Sequence, residues 1–202
     1  MTANEVDRKR IPAAERRQVV LRAAAQLFGE RGYSATRLED VAAAAGVTKP
    51  IVYRHFESKK ALYLALLLKH EEDLPAFLAL ARDELAGLSG DELVRAILAR
   101  WLDYVRENSH AWLMLFRDSS GDAEIQVRRL EVSARARELM AAFVAIQAGG
   151  RLPAVQVEPT AELLRSGLAG LALWWIDNPD TPKADVLDVA ARLGAVAIAA
   201  QG

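Results

Sequence analysis

The chain has 202 residues, 52% of them apolar, no cysteine, and a formal net charge of −1. That length builds one or two domains with a sizeable core, and the lack of cysteine excludes disulfides and thiolate metal sites. No apolar signal-peptide core opens the sequence and no run of 18 apolar residues occurs in it, so a cytoplasmic protein without a membrane partner is expected.

The near-neutral total hides an asymmetry. Residues 1–60 hold 12 Lys/Arg against 7 Asp/Glu, whereas residues 61–202 hold 14 against 20, so a segment of +5 precedes a remainder of −6. A basic head on an acidic body is the charge footprint of a chain that touches nucleic acid at one end.

Residues 1–11 lack periodicity, and Arg8, Lys9 and Arg10 suit either an arm on DNA or a solvated tail. From Pro12 to Gly32 the spacing predicts an amphipathic helix, with Val20, Ala24, Leu27 and Phe28 on one face and Arg16, Arg17, Arg22 and Arg31 largely away from it. Thr36 followed by Glu39 reads as a capping box opening a short helix that ends at Ala45-Gly46. Thr48, Lys49 and Pro50 start the next helix, with either Thr48 or Lys49 as its cap, since a residue before proline avoids the helical region. Two helices of about two turns around a glycine turn form a helix-turn-helix, whose second helix enters the major groove. Its first turn presents Thr48, Lys49, Pro50 and Ile51 outward, while Val52 and Phe56 face a small core with Val41 and Val47.

The pieces LEDVAAAAGV, TKPIVYRHF and ESKKAL, with the preceding AAERRQVVLRAAAQLFGERGYSATR, resemble the N-terminal DNA-binding domain of the tetracycline-repressor (TetR) family of bacterial one-component regulators. The resemblance covers residues 12–64 and is one of architecture alone beyond them. It implies that Lys49 meets base edges and that Pro50 and Ile51 lie against thymine methyls. It further implies that Tyr53, His55 and Lys59 grip phosphates, and that Thr36 and Arg37 meet backbone phosphate from the preceding helix. Tyr53 also suits a core position with a wet hydroxyl, and His55 a packing role. Arg54 departs from the aromatic or neutral residues usual there.

Ser58 caps a long helix that Pro75 should kink or break. Gly87 and Gly90 flank a loop, after which Ser89 or Asp91 caps a helix to about Asn108. A short apolar piece, HAWLMLFRD, and the loop SSGD lead into a helix over 123–147, closed by Gly149-Gly150. RLPAVQVEP reads as a linker before two last helices, 160–177 and 182–200, the second capped by Thr181 with Pro182 at its first position. The chain is therefore expected to be all-α with about nine helices: residues 1–58 an arm and three-helix DNA-binding domain, residues 59–202 a larger helical effector-binding and dimerisation domain.

One helix-turn-helix reads about half of a palindromic site on double-stranded DNA, so function calls for a homodimer. Helices 160–177 and 182–200 carry Leu163, Leu164, Leu168, Leu171, Val189 and Leu193 interleaved with glycine and alanine, which suits a bundle across a twofold axis or internal core. Trp101, Tyr104, Trp112, Met114, Phe116, Met140, Phe143 and Trp174 suit either an adaptable apolar ligand cavity or plain core. Arg117, Asp118, His110 and Asp103 are candidate polar anchors or loop residues. No HExxH, GxSxG, Walker or GxGxxG pattern occurs, His70 with Glu71-Glu72 reads as a solvated face, and no metal, cofactor or catalysis is expected. The expected function is a DNA-binding transcriptional regulator, a repressor released by a hydrophobic or aromatic small molecule. The alternatives are a constitutive regulator with a filled body, or an activator.

Overall fold

The structure, a computed structural model, describes residues 12–84, 87–88, 90–117 and 121–199. The arm residues Arg8, Lys9 and Arg10, together with Ser89 and Asp118, lie outside the described residues. Among the described residues there are nine helices and no strand: α1 (Ala13–Ala35), α2 (Leu38–Ala44), α3 (Lys49–His55), α4 (Lys59–Glu84), α5 (Gly90–Glu107), α6 (Ser109–Arg117), α7 (Ala123–Ala148), α8 (Ala154–Asp177) and α9 (Lys183–Ala199). This is the expected all-α architecture. None of the described helices is long and apolar enough to cross a membrane.

The head forms where the spacing places it. Val20, Ala24, Leu27 and Phe28 of α1 are buried against Val41, Val52 and Phe56. Gly32 interrupts α1 with φ 79°, a left-handed value that glycine adopts without steric cost. After α2, Gly46 repeats the device at φ 63°, and the Val47 N–H closes the turn on the Ala42 carbonyl at 3.0 Å. Thr48 is the residue flanking α3, extended at φ −88° and ψ 153°, and Pro50 sits in the first turn, where no intrahelical partner is lost.

Three expectations fail in instructive ways. The capping box does not form: α2 is preceded by Arg37, without a side-chain cap bond. The Thr36 hydroxyl turns back to α1 instead and donates between the carbonyls of Gly32 (2.8 Å) and Leu27 (3.1 Å). Helix α4, opened by Ser58 Oγ accepting the Ala61 N–H at 3.0 Å, runs through position 75 without a break. The linker expected over 151–159 shrinks to 151–153, because α8 starts at Ala154 and contains Pro159. A proline five residues inside a helix removes one hydrogen bond of the ladder. The next turns bury Ala161 and Leu164 against Val144 and Ala148 of α7, which offsets that loss.

The remaining helix ends fall close to the expected positions. Asp122 accepts from the N–H groups of Glu124 (3.0 Å) and Ile125 (3.3 Å), and Gly149 closes α7 at φ 56°. Helix α9 begins one residue later than expected, with the Pro182 carbonyl accepting the Asp185 N–H at 3.1 Å.

One buried cluster is continuous from the head into the body. It joins α1–α3 to Leu62, Tyr63, Leu66 and Leu67 of α4, Met114 of α6 and Ile125 of α7. Helix α1 lies along α6, α7 along α8 and α4, and α5 along α9. The approach of α1 to α6 is close enough that a Cβ on Gly29 would stand 2.7 Å from the His110 carbonyl oxygen.

Candidate functional site

The head presents a compact outward face. Thr48, Lys49 and Pro50 are exposed, Ile51 is half-buried, and Arg37 is exposed at the start of α2. Val52 is fully buried and Phe56 nearly so, which fixes α3 by its inner face. Tyr53 is 44% exposed, so its ring stands on the outer side rather than in the core. Lys49 forms an ion pair with Glu39 of α2, and its ammonium sits 5.6 Å from the centre of the Tyr53 ring. Each charge stabilises the other: the Glu39 carboxyl is held below its usual range by Lys49, and Lys49 is raised by Glu39.

Three residues expected on phosphates have inward roles. Thr36 is fully buried and its hydroxyl is committed to α1 carbonyls. Lys59 donates to the carbonyls of Tyr33 (2.7 Å), Thr36 (3.0 Å) and Ser34 (3.3 Å), with the Tyr33 ring 4.4 Å away. These carbonyls belong to the end of α1 and the turn after it, where a cation is favoured. His55 is half-buried, its Nε2 has no partner among the described residues, and burial with Arg54, Arg16 and Arg17 nearby lowers its pKa.

The body encloses a cavity of about 220 Å³ between α4, α5, α6, α7, α8 and α9. Trp101, Tyr104, Trp112, Phe116, Met140 and Phe143 all line it. Trp112 stacks on Phe116 (5.1 Å, 13°) and meets Trp101 edge-on (5.9 Å, 84°). The indole nitrogen of Trp112 has no hydrogen-bond partner among the described residues.

Met114 and Trp174 do not line the cavity. Met114, two residues from Trp112 on α6, faces the opposite way into the head cluster, and its carbonyl accepts from the Tyr63 hydroxyl at 3.2 Å. Trp174 is 50% exposed, and its neighbour Trp175 takes the buried place, donating to the Thr181 carbonyl at 2.9 Å. The proposed polar anchors are also elsewhere. Arg117 pairs with Asp177, Asp103 accepts from Lys183 at 2.6 Å, and His110 lies under Gly29.

The polar part of the wall consists of residues the sequence did not single out for it: His70, Glu71, Ser133, Arg129, Arg135 and Arg165. His70 is not on a solvated face. Its Nδ1 is 3.2 Å from the Tyr104 hydroxyl, and burial pushes its pKa down to about 4. Burial likewise raises Tyr104, so both groups are neutral at pH 7. Glu71 pairs with Arg128 of α7. The signal for His70 was its i+8 and i+4 relation to the apolar positions Leu62 and Leu66, which are buried on the same face of α4 where His70 is half-buried.

The sequence model for bacterial regulatory proteins of the tetR family matches residues 20–66. The HTH-type transcriptional activator FasR of Mycolicibacterium smegmatis is 34% identical over 110 residues, which are 54% of this chain and 49% of that protein. The match thus spans about half of that relative's length. A TetR-like transcriptional regulator from Rhodococcus sp. RHA1 superposes with a TM-score of 0.75 at 26% identity, covering 95% of this chain and 100% of the other. The regulator FadR from Bacillus subtilis, solved with stearoyl-CoA, superposes with a TM-score of 0.70 over 92% of this chain and 99% of the other; at 14% identity this likeness is one of fold alone.

Proposed function

We propose that this chain, which belongs to the tetR family by its N-terminal domain, is a one-component transcriptional regulator whose grip on a palindromic operator is set by an apolar small molecule in the body cavity. The observation that carries the reading is the placement of α6. One face bears Trp112, Leu115 and Phe116 on the cavity, and the other sends Met114 into the head cluster. Helix α4 is shared in the same way, with Leu62 and Tyr63 in the head cluster and His70 and Glu71 on the cavity. A ligand that fits one arrangement of these helices better than another biases the position of the head by that difference in affinity.

In this account Lys49, Pro50 and Ile51 read the major groove, with Thr48, Arg37 and the Tyr53 hydroxyl on the flanking backbone. Residues 1–58 act as the DNA-binding unit and 59–202 as the effector-binding and dimerisation unit. The homodimer forms through 160–177 and 182–200. Leu163, Ser166, Gly170 and Trp174 make an exposed stripe of apolar and small residues along α8, with Val189 exposed on α9, and such a stripe suits a twofold-related copy. The effector has an apolar or aromatic body. The stearoyl-CoA complex of the Bacillus subtilis fold neighbour makes acyl groups the first probes to try.

The regulator acts as a repressor if its operator overlaps a promoter. A second reading, activation, is favoured by the activator name of the Mycolicibacterium smegmatis relative. A titration tests the effector claim: acyl-CoA and aromatic probes are added to the protein–operator complex while tryptophan emission and DNA release are read together. Coupled quenching and release, lost in Trp112→Ala, is expected. Quenching without any change in DNA affinity would sink the coupling.

A further inference from the structure

The outward face of the head carries a carboxylate where a phosphate-binding surface would be expected to carry none. Glu39, in the first turn of α2, is paired with Lys49, the sole charged residue among 48–51. Both side chains are about half-exposed, at 54% and 49%. The pair does not hold the fold: α2 and α3 are already joined through buried Leu38, Val41, Ala42 and Val52, and exposed ion pairs add little to stability. The other acidic group of that turn, Asp40, is engaged by Arg31 at 3.5 Å. Glu39 is thus left to act on Lys49, whose ammonium also sits 5.6 Å from the centre of the Tyr53 ring.

We propose that Glu39 is a specificity-determining residue that reads, together with Lys49, a single G·C base pair. The inference rests on the DNA-reading role given to Lys49 above. On arbitrary DNA, Lys49 reaches a phosphate only by leaving Glu39, whose carboxylate then faces phosphates unpaired. The cation is therefore withheld from indiscriminate contact. In the major groove, one G·C pair offers acceptors at guanine O6 and N7 beside the N4 amino donor of cytosine. Lys49 donates to the first and Glu39 accepts from the second, so both charges keep partners when the ion pair opens. An A·T pair sets its one donor, adenine N6, between two separated acceptors, so Lys49 loses the adjacent O6 and N7 there, and a phosphate satisfies Lys49 alone and strands Glu39.

The test uses the full-length protein and two variants, Glu39→Ala and Lys49→Ala, with the double variant. Each is put through selection from random duplexes, and affinities for the selected site and for a scrambled duplex are measured across a salt series. The wild type should enrich a symmetric site with a G·C pair at one position of each half. Glu39→Ala should lose that preference, bind the scrambled duplex several-fold more tightly, and steepen its salt dependence by about one counterion, as one added phosphate contact does. In the Lys49→Ala background the same change at Glu39 should do nothing further. Retention of the G·C preference by Glu39→Ala would overturn the proposal. So would an equal gain in scrambled-duplex affinity with and without Lys49, which would reveal a general charge effect. If the wild type itself enriches nothing, the DNA-reading role of the head fails, and this inference with it.

Discussion

The contact between α1 and α6 sets how firmly the head is joined to the body, and Gly29→Ala tests it. A Cβ at this position would lie 2.7 Å from the His110 carbonyl oxygen, 3.2 Å from its Cα and 3.3 Å from its carbonyl carbon. All three are backbone atoms of α6, so no side chain can swing aside and one helix must move. Overpacking of this kind costs about 1–3 kcal/mol. Alanine's better helix propensity returns about 0.5–1 kcal/mol, which leaves a net loss of about 1 kcal/mol from the middle of the two ranges and about 2.5 kcal/mol at most. For a chain of this size a loss of about 1 kcal/mol is a fall in Tm of roughly 2–4 °C. Thermal denaturation followed by circular dichroism measures it. Gly167→Ala is the control, because its new Cβ would meet the terminal Cδ2 of Leu193 at 2.9 Å, a flexible group that can turn away. An unchanged or raised Tm for Gly29→Ala, or a larger loss for Gly167→Ala, would refute the claim that α1 and α6 form the rigid joint.

Lys49→Ala should weaken operator binding by about 1–3 kcal/mol and relax the preference at one base position, measured by competition with single-base operator variants. Lys59→Met should lower stability by about 1–2 kcal/mol through the three carbonyls it leaves without their donor, read by urea unfolding. The slope of operator affinity against salt should stay as in the wild type, whereas a phosphate-gripping lysine would reduce it by about one. His70 predicts a pH effect. Its folded pKa of about 4 lies below the ordinary value of 6.5, so the unfolded chain binds the extra proton between those values. The stability it contributes is complete above pH 6.5 and disappears as pH falls towards 4, a change of about 3 kcal/mol. Urea unfolding at pH 7 and pH 5 should show about 2 kcal/mol of that loss in the wild type and less in His70→Gln; equal losses would remove His70 as the cause.

Much of the fold is written in local signals. The apolar stripe of α1, the glycines at 32, 46 and 149, and the caps Ser58 and Asp122 each act within a few residues, and each does what its chemistry suggests. The same logic places Val52 and Phe56 inside and Lys49 and Pro50 outside. What local signals miss depends on partners distant in sequence. Thr36 and Glu39 have capping-box spacing, yet buried carbonyls of α1 compete for the threonine and Lys49 takes the glutamate. Lys59 resembles a phosphate ligand until the chain folds back and offers it three carbonyls from residues 33–36. Trp174 and Trp175 are adjacent and differ by about 100° around a helix that is apolar nearly all round, so pattern alone does not decide which one is buried. His70 is polar by type and half-buried by position, and its partner Tyr104 lies 34 residues away.

Sequence-specific reading by α3 in a twofold assembly is what the proposed regulation requires. Selection of the wild-type protein on random duplexes at moderate salt, with sequencing of the bound fraction, tests that most directly. A single palindrome, with half-sites about one helical turn apart, is the predicted result. Weak binding to every duplex, dependent on salt and without enrichment of any sequence, would contradict it.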